Sequence, residues 1–155
     1  MFPLFEVREQ NGERKVNALS TIEKGTELCT FTGKPIDFKE TLKLGNKESF
    51  AFQVDKDLYI YLDEPYRYFN HSCEPNCGIT SELKMVTLKP IEKNEELRWD
   101  YSTSMLEHHW TMKCNCKKEN CRKIVGDFTT LPEKLQEHYL KAGVVQKFIM
   151  NFLKK

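Results

Sequence analysis

The stretch Cys114-Asn115-Cys116-Lys117-Lys118-Glu119-Asn120-Cys121 holds three thiols within eight residues. A fourth, Cys73, stands upstream in Asn70-His71-Ser72-Cys73-Glu74-Pro75-Asn76. Thiolates at such spacing hold zinc, and a closed structural site takes four ligands. If Cys73 supplies the fourth, one ion ties the C-terminal part of the chain to an interior loop and gives a pocket its last wall. Cys77 competes for that place, although a lone cysteine is more often a small buried residue. Cys29 falls inside a strand-like run and reads as core. His108, His109 and His138 lack paired ligand spacing and read as surface or internally satisfied histidines.

Lys113, Lys117, Lys118, Arg122 and Lys123 crowd these cysteines. Four thiolates on one Zn²⁺ leave about two negative charges, which the cations offset. A nucleic-acid patch is the other reading, and it predicts strongly salt-dependent binding. The formal net charge of +1 gives no global attraction to nucleic acid or to an anionic membrane.

The elements that must position these groups fit one domain: 155 residues suffice for a real core. A hydrophobic share of 39% with 30% charge describes a globular chain rather than a disordered one. No apolar run approaches the length of a bilayer span. The opening residues, Met1 to Glu6, have neither a basic start nor a long apolar stretch, so no secretory signal is expected. Six cysteines without such a signal suit a reducing compartment, hence an intracellular protein, cytoplasmic or nuclear.

Residues 4–100 read as short strands. Asn11-Gly12 between two extended runs predicts a hairpin, because both residues tolerate positive φ. Further runs rich in aromatic and β-branched residues are Glu27–Thr32, Ser49–Val54, Leu58–Leu62 and Lys84–Leu88. Asp37 with Glu40 three residues on predicts a capped short helix over 38–44, ended by Gly45. One unit occurs twice, Ile22-Glu23-Lys24-Gly25-Thr26-Glu27-Leu28 and Ile91-Glu92-Lys93-Asn94-Glu95-Glu96-Leu97, with Gly25 and Asn94 at the place of a left-handed turn residue. After the cysteines, Leu131-Pro132-Glu133 predicts a helix start and Gly143 its stop. A second helical run, Val144–Leu153, gathers Val144, Val145, Phe148, Ile149 and Phe152 on one apolar face. These helices either pack onto the sheets or join two copies as a homodimer.

Taken in order, the pieces resemble a SET-domain protein lysine methyltransferase. Val16 to Gly25 resembles the family's opening strand and turn, and Phe31-Thr32-Gly33-Lys34-Pro35-Ile36 its aromatic-x-Gly-x-x-Ile strand. Arg67-Tyr68-Phe69-Asn70-His71-Ser72-Cys73-Glu74-Pro75-Asn76 is similar to the Arg-Phe-x-Asn-His-Ser-Cys-x-Pro-Asn motif, with Tyr68 replacing Phe. Glu96-Leu97-Arg98-Trp99-Asp100-Tyr101 is similar to Glu-Leu-x-x-Asp-Tyr, and the spacing of Cys114, Cys116 and Cys121 to the post-SET zinc cluster.

The resemblance implies a mainly β fold (the β-clip or SET fold), with small twisted sheets around a knot-like crossing where the segment carrying Tyr101 passes beneath the loop near Asn70. It implies a SET domain over 1–112, a post-SET zinc segment over 113–126 and a C-terminal helical extension over 127–155. The implied activity is lysine N-methylation of a histone or other protein, with S-adenosylmethionine as cosubstrate and structural Zn²⁺ on Cys73, Cys114, Cys116 and Cys121. Tyr101 is the implied catalytic residue. Arg67, Tyr68, Asn70 and His71 are implied at the cofactor, and Phe50 and Trp99 in the substrate channel.

One stretch departs from the family, which has Gly-x-Gly before its opening strand so that backbone can approach the cofactor. The aligned residues are Glu13-Arg14-Lys15, with Gly12 displaced by one. Side chains there either crowd the cofactor or, through Arg14 and Lys15, meet its carboxylate. The departure keeps an alternative open: a catalytically weak SET-fold binding module for a lysine-bearing protein or a nucleic acid. Removal of zinc is expected to loosen 114–155.

Overall fold

The computed structural model describes residues 3–155. Met1 and Phe2, with which the expected first domain and the leader reading begin, lie outside the described residues. Strands β1 (Phe5–Gln10) and β2 (Glu13–Ala18) form the expected hairpin, turned by Asn11 at φ 54° and Gly12 at φ 80°. Positive φ at both central residues is what a two-residue hairpin turn requires. Strand β2 sends Val16 and Ala18 into the core and leaves Glu13 and Arg14 outside.

Strands β3 (Glu27–Thr30) and β4 (Gly33–Ile36) divide the run expected to end at Thr32. Thr32 Oγ1 donates to Asp63 Oδ2 at 2.8 Å, and the chain turns there into a second sheet. Gly33 lies so close to the neighbouring strand that a Cβ would meet Tyr61 O at 2.2 Å. Helix α1 (Phe38–Thr41) has the expected capping box between Asp37 and Glu40 but is shorter than 38–44. Gly45, at φ 59°, instead opens a 3-10 stretch over Gly45–Phe50. Strands β5 (Ala51–Asp55) and β6 (Leu58–Leu62) complete a sheet of order β4-β6-β5.

Beyond β7 (Asn70–His71), strands β8 (Cys77–Ile79) and β9 (Lys84–Thr87) join β3 in the order β3-β9-β8. Strand β10 (Arg98–Trp99) pairs with β7 in parallel, and β11 (Met112–Lys113) with β12 (Ile124–Val125) antiparallel. The twice-used turn unit folds as a pair. Ile22 and Ile91 exchange backbone hydrogen bonds of 2.9 and 2.8 Å, and Gly25 and Asn94 both adopt positive φ, 83° and 73°.

Small sheets of this kind bury one face each, so they share a core: Val16, Phe31, Phe52, Phe69, Ile79, Met85, Ile91, Leu97 and Trp99 meet at its centre. A second core belongs to helices α2 (Glu133–Ala142) and α3 (Lys147–Leu153). Gly143 ends α2 at φ 74°, as expected. Val144 sits directly on Gly78, where a Cβ would lie 2.5 Å from its Cγ1. Gln146 Nε2 donates to the Ile79 and Thr80 carbonyls at 3.3 and 3.0 Å. The helices therefore pack onto the sheet. Two expectations change: α3 begins at Lys147, so Val144 and Val145 precede it, and Phe152 is 47% exposed rather than on the buried face.

Candidate active site

The parallel β7–β10 pair aligns Asn70 with Arg98 and His71 with Trp99, and so brings the two sequence motifs together. The backbone N–H of Tyr101 donates to His71 Nδ1 at 3.1 Å, and the Tyr101 hydroxyl donates to Phe69 O at 3.0 Å. Because Nδ1 accepts, the ring proton sits on Nε2, which faces Cys73 Sγ at 3.4 Å. Burial lowers the His71 pKa to about 4, with Arg122 and Arg98 pushing the same way against Asp100. The ring is a neutral spacer between motif and cysteine. Burial, helped by Glu96, pushes the Tyr101 phenol above its ordinary value, so it stays an uncharged donor.

Two spaces meet at Tyr101. An open cleft of about 1210 Å³ is lined by Gly12 to Lys15, Phe50, Arg67, Tyr68, Asn70, His71 and the segment 112–117. A slot of about 30 Å³ lies beyond, walled by Phe52, Tyr59, Trp99, Met105, Trp110, Glu48 and Glu107. Tyr101 and Ser49 line both.

On the cleft side, the Asn70 amide donates to Arg14 O at 3.1 Å and Glu96 Oε2 at 3.2 Å. The Arg14 guanidinium donates to Tyr68 Oη at 2.5 Å and lies 4.9 Å from its ring centre. Arg67 braces the loop, since its Nε donates to Leu62 O at 3.0 Å, while its charged end covers the rings of Tyr61, Phe50 and Tyr68. Cations beside an amide suit a carboxylate, and aromatic faces suit a flat heterocycle, so this lining fits an amino-acid nucleoside.

Of the two expected channel residues, Trp99 lines the slot, 4.7 Å from the Tyr101 ring centre and 5.4 Å from Phe52. Phe50 does not. It ends the 3-10 stretch before β5 begins, and so turns to the cleft, where Arg67 and Tyr68 cover it.

The four cysteines expected at zinc converge: the sulfurs of Cys73, Cys114, Cys116 and Cys121 all lie within 4.8 Å of one another. Cys73 and Cys114 are 3.7 Å apart. Zn–S bonds of ~2.3 Å in a tetrahedron imply S···S edges of about 3.8 Å. The cluster is therefore compatible with zinc in size and ligand type. Cys77 is fully buried in β8, where burial raises its thiol pKa, and Cys29 is partly buried against the same core, its thiol lifted by burial to about 12.

The strongest feature unforeseen from sequence is Asp100, 1% exposed. Its carboxylate receives both Arg122 terminal nitrogens at 2.9 and 2.8 Å, the Tyr139 hydroxyl at 2.8 Å and the Ser102 N–H at 3.0 Å. Arg122 thus belongs to a buried pair rather than to the basic surface around the cysteines. This hub joins the Tyr101 motif, the cysteine segment and helix α2. Its signal lay in the Asp-Tyr motif, read only for the tyrosine.

Small sheets around a parallel β7–β10 pair, with a tyrosine at the junction, define a class, and residues 13–102 match the SET domain family. The chain belongs to that family. It is 28% identical over 121 residues to histone-lysine N-methyltransferase ash1 of Drosophila melanogaster, covering 68% of this chain and 5% of that protein. It is 26% identical over 157 residues to Drosophila histone-lysine N-methyltransferase Su(var)3-9, covering 79% and 25%. The probable histone-lysine N-methyltransferase set-23 of Caenorhabditis elegans is 38% identical over 136 residues, covering 71% and 54%. The chain spans less than two thirds of the length of each of these relatives.

Proposed function

We propose that this chain is an S-adenosylmethionine-dependent protein-lysine N-methyltransferase acting on a histone or another lysine-bearing protein. The observation that carries the reading is the position of Tyr101, at the contact of a broad polar cleft and a narrow aromatic slot. A methyl donor and a lysine chain that must meet end to end need two such entrances.

Arg14, Arg67, Tyr68, Asn70 and His71 hold the cosubstrate, Asn70 and the cations at its amino-acid end. When bound, it supplies a methyl group on a sulfonium, open to in-line displacement. The nucleophile must be a neutral amine, yet near pH 7 only about one lysine in 2,500 is neutral, a cost of roughly 4–5 kcal/mol. A dry slot lined by Trp99, Phe52 and Tyr59 lowers that cost by disfavouring the ammonium. Tyr101 orients the amine through an uncharged hydroxyl, and orientation supplies much of the rate. Phe50 acts as a wall of the cleft. Cys73, Cys114, Cys116 and Cys121 hold a structural Zn²⁺ that fixes the 112–117 wall. The division into a SET domain (1–112), a post-SET segment (113–126) and a helical extension (127–155) is part of this reading, as is an intracellular, cytoplasmic or nuclear location.

The test is labelled-methyl transfer from S-adenosylmethionine into core histones or a cell proteome, with Tyr101→Phe as control. Incorporation by the wild type that the variant loses supports the reading, and equal incorporation by both contradicts it. A second reading, a SET-fold binding module without turnover, draws on Glu13-Arg14-Lys15 standing in place of Gly-x-Gly. Calorimetry separates the two, because the enzyme binds S-adenosylmethionine and the module does not.

A further inference from the structure

Among the described residues, two buried polar atoms in the slot have no hydrogen-bond partner: Glu48 Oε1 and Trp99 Nε1. Trp99 is 5% exposed. Buried polar groups are nearly always paired, so an orphaned donor and an orphaned acceptor in one small space mark a site built for an incoming group. The second carboxylate of the slot is different. Glu107 is engaged, accepting from the Tyr59 hydroxyl through one oxygen and from the Trp110 N–H at 3.3 Å through the other. Glu48, by contrast, accepts no hydrogen bond at Oε1 among the described residues, and its polar neighbour there is His109 at 3.7 Å. Glu48 directly precedes Ser49, which lines both cleft and slot.

Behind Glu48 stands a route outward. His109 Nε2 lies 3.7 Å from Glu48 Oε1, and the imidazole is 48% exposed. Its ring packs edge-on against Phe38 at 5.4 Å, which keeps it beside the slot.

We propose that Glu48 accepts the proton of the lysine ammonium entering the slot and that His109 passes this proton to solvent. The step rests on the methyltransferase reading above and adds to it the residue that neutralises the nucleophile. In it, an N–H bond of the ammonium breaks and an Oε1–H bond forms on Glu48, leaving a neutral amine and a neutral carboxylic acid. The amine lone pair then forms the N–C bond to the methyl group, while the C–S bond breaks and its electron pair remains on sulfur. The proton on Glu48 moves to His109 Nε2, and from the exposed ring to water. Glu48 returns as carboxylate, ready for the methylated ammonium if a second transfer follows.

The surroundings suit that task. Burial raises the Glu48 pKa and Glu107 pushes the same way, while His109 opposes them. The remaining titratable groups lining the slot, Tyr59 and Tyr101, are both phenols held neutral by burial. Burial that raises a carboxylate lowers an amine, so the two approach each other, which favours the uncharged pair over the ion pair.

The test is the pH dependence of methyl transfer to core histones by wild type, Glu48→Gln and His109→Asn, with kcat and KM measured separately. Glutamine keeps the shape and hydrogen-bonding reach of Glu48 but cannot take up the proton. Near neutral pH, E48Q is expected to lose about 100-fold in kcat with KM little changed. Its rate should then climb about tenfold per pH unit toward lysine's own range near ~10.4. H109N should lose less, about fivefold, with the same tilt. A variant whose rate falls equally at every pH, or does not fall, overturns the step and leaves the methyltransferase reading standing. Absence of transfer by the wild type overturns both. A second readout needs neither turnover nor the variants: carbon-13 NMR of the Glu48 carboxyl in the wild-type protein. A titration midpoint above the ordinary glutamate range is expected, and an ordinary midpoint overturns the proposal.

Discussion

The cleft and the slot that meet at Tyr101 are built in opposite ways. The cleft is a web of partly exposed polar side chains: Arg14 on Tyr68, Tyr68 on Glu64, Asn70 on Glu96 and Glu96 on Arg98. One of its walls, 112–117, belongs to the cysteine segment. The slot is a recess in the main core, with Phe52 and Trp99 nearly fully buried. The shape of the cleft therefore depends on charge, salt and metal, whereas that of the slot depends on packing. On the proposed reading, the cleft takes the cosubstrate while the slot holds the lysine.

The largest effect is expected at Tyr101, which lines both spaces. Tyr101→Phe should lower methyl transfer by about 10³-fold, the scale of losing one well-placed hydrogen-bonding group. Calorimetric affinity for S-adenosylmethionine should stay within about threefold, since the lost Phe69 hydrogen bond is worth only ~1 kcal/mol. A matching fall in affinity would move Tyr101 from the junction into the cleft.

His71, which lines the cleft and holds the Tyr101 backbone N–H, sets an acid limit. Its folded pKa, about 4, lies below its ordinary value of 6.5, so the folded protein holds it neutral while the unfolded chain takes up a proton first. This contribution is complete above about pH 6.5 and is lost as pH falls through about 4, at most roughly 3.5 kcal/mol. Urea unfolding of metal-free protein at several pH values should show it, and His71→Gln should flatten the slope.

Metal removal should separate the two spaces. Chelation is expected to weaken S-adenosylmethionine binding by about 10²-fold, as the 112–117 wall loosens. Hydrogen exchange should rise over 112–125 and stay low in β5, β6 and α2. The sequence alone suggested loosening through 155. Val144 on Gly78, Gln146 on the Ile79 and Thr80 carbonyls and Tyr139 on Asp100 anchor the helices independently of the cysteines.

Trp99→Phe should act on the slot alone, costing about 1–2 kcal/mol of stability for the void while cofactor affinity stays constant. An indole without a hydroxyl beside the amine is expected to permit di- or trimethylation, and mass spectrometry finding only monomethyl product under exhaustive conditions would count against that. The smallest effect is expected at Arg14→Ala, about a fivefold loss of cofactor affinity that shrinks with added salt, with product distribution unchanged.

What could be read from the residues follows the range over which each contact acts. Asn11-Gly12, Gly25 and Asn94 carry their conformations locally, and the structure has the expected turns there. The convergence of Cys73 with Cys114, Cys116 and Cys121, and of Asn70 with Tyr101, was legible because whole motifs resembled a family whose topology joins them. The slot was not. Glu48, Tyr59, Glu107 and Trp110 share no motif and meet only through tertiary packing. Phe50 was placed in the channel by resemblance alone, which carries no information on the 3-10 turn after Gly45; that turn delays the strand to Ala51 and sends the rings of Phe50 and Phe52 into different spaces. Asp100 was hidden by its neighbour, since no spacing rule links it to Arg122 or Tyr139.

The most direct test of the central claim, that two spaces join at one tyrosine, is a crystal structure with S-adenosylhomocysteine and a lysine-bearing histone peptide. The nucleoside is expected in the cleft against Arg14, Tyr68 and Asn70, the lysine in the slot against Trp99, and sulfur and nitrogen facing each other beside the Tyr101 hydroxyl. A nucleoside elsewhere on the surface, or a lysine that enters by the cleft, would contradict the claim.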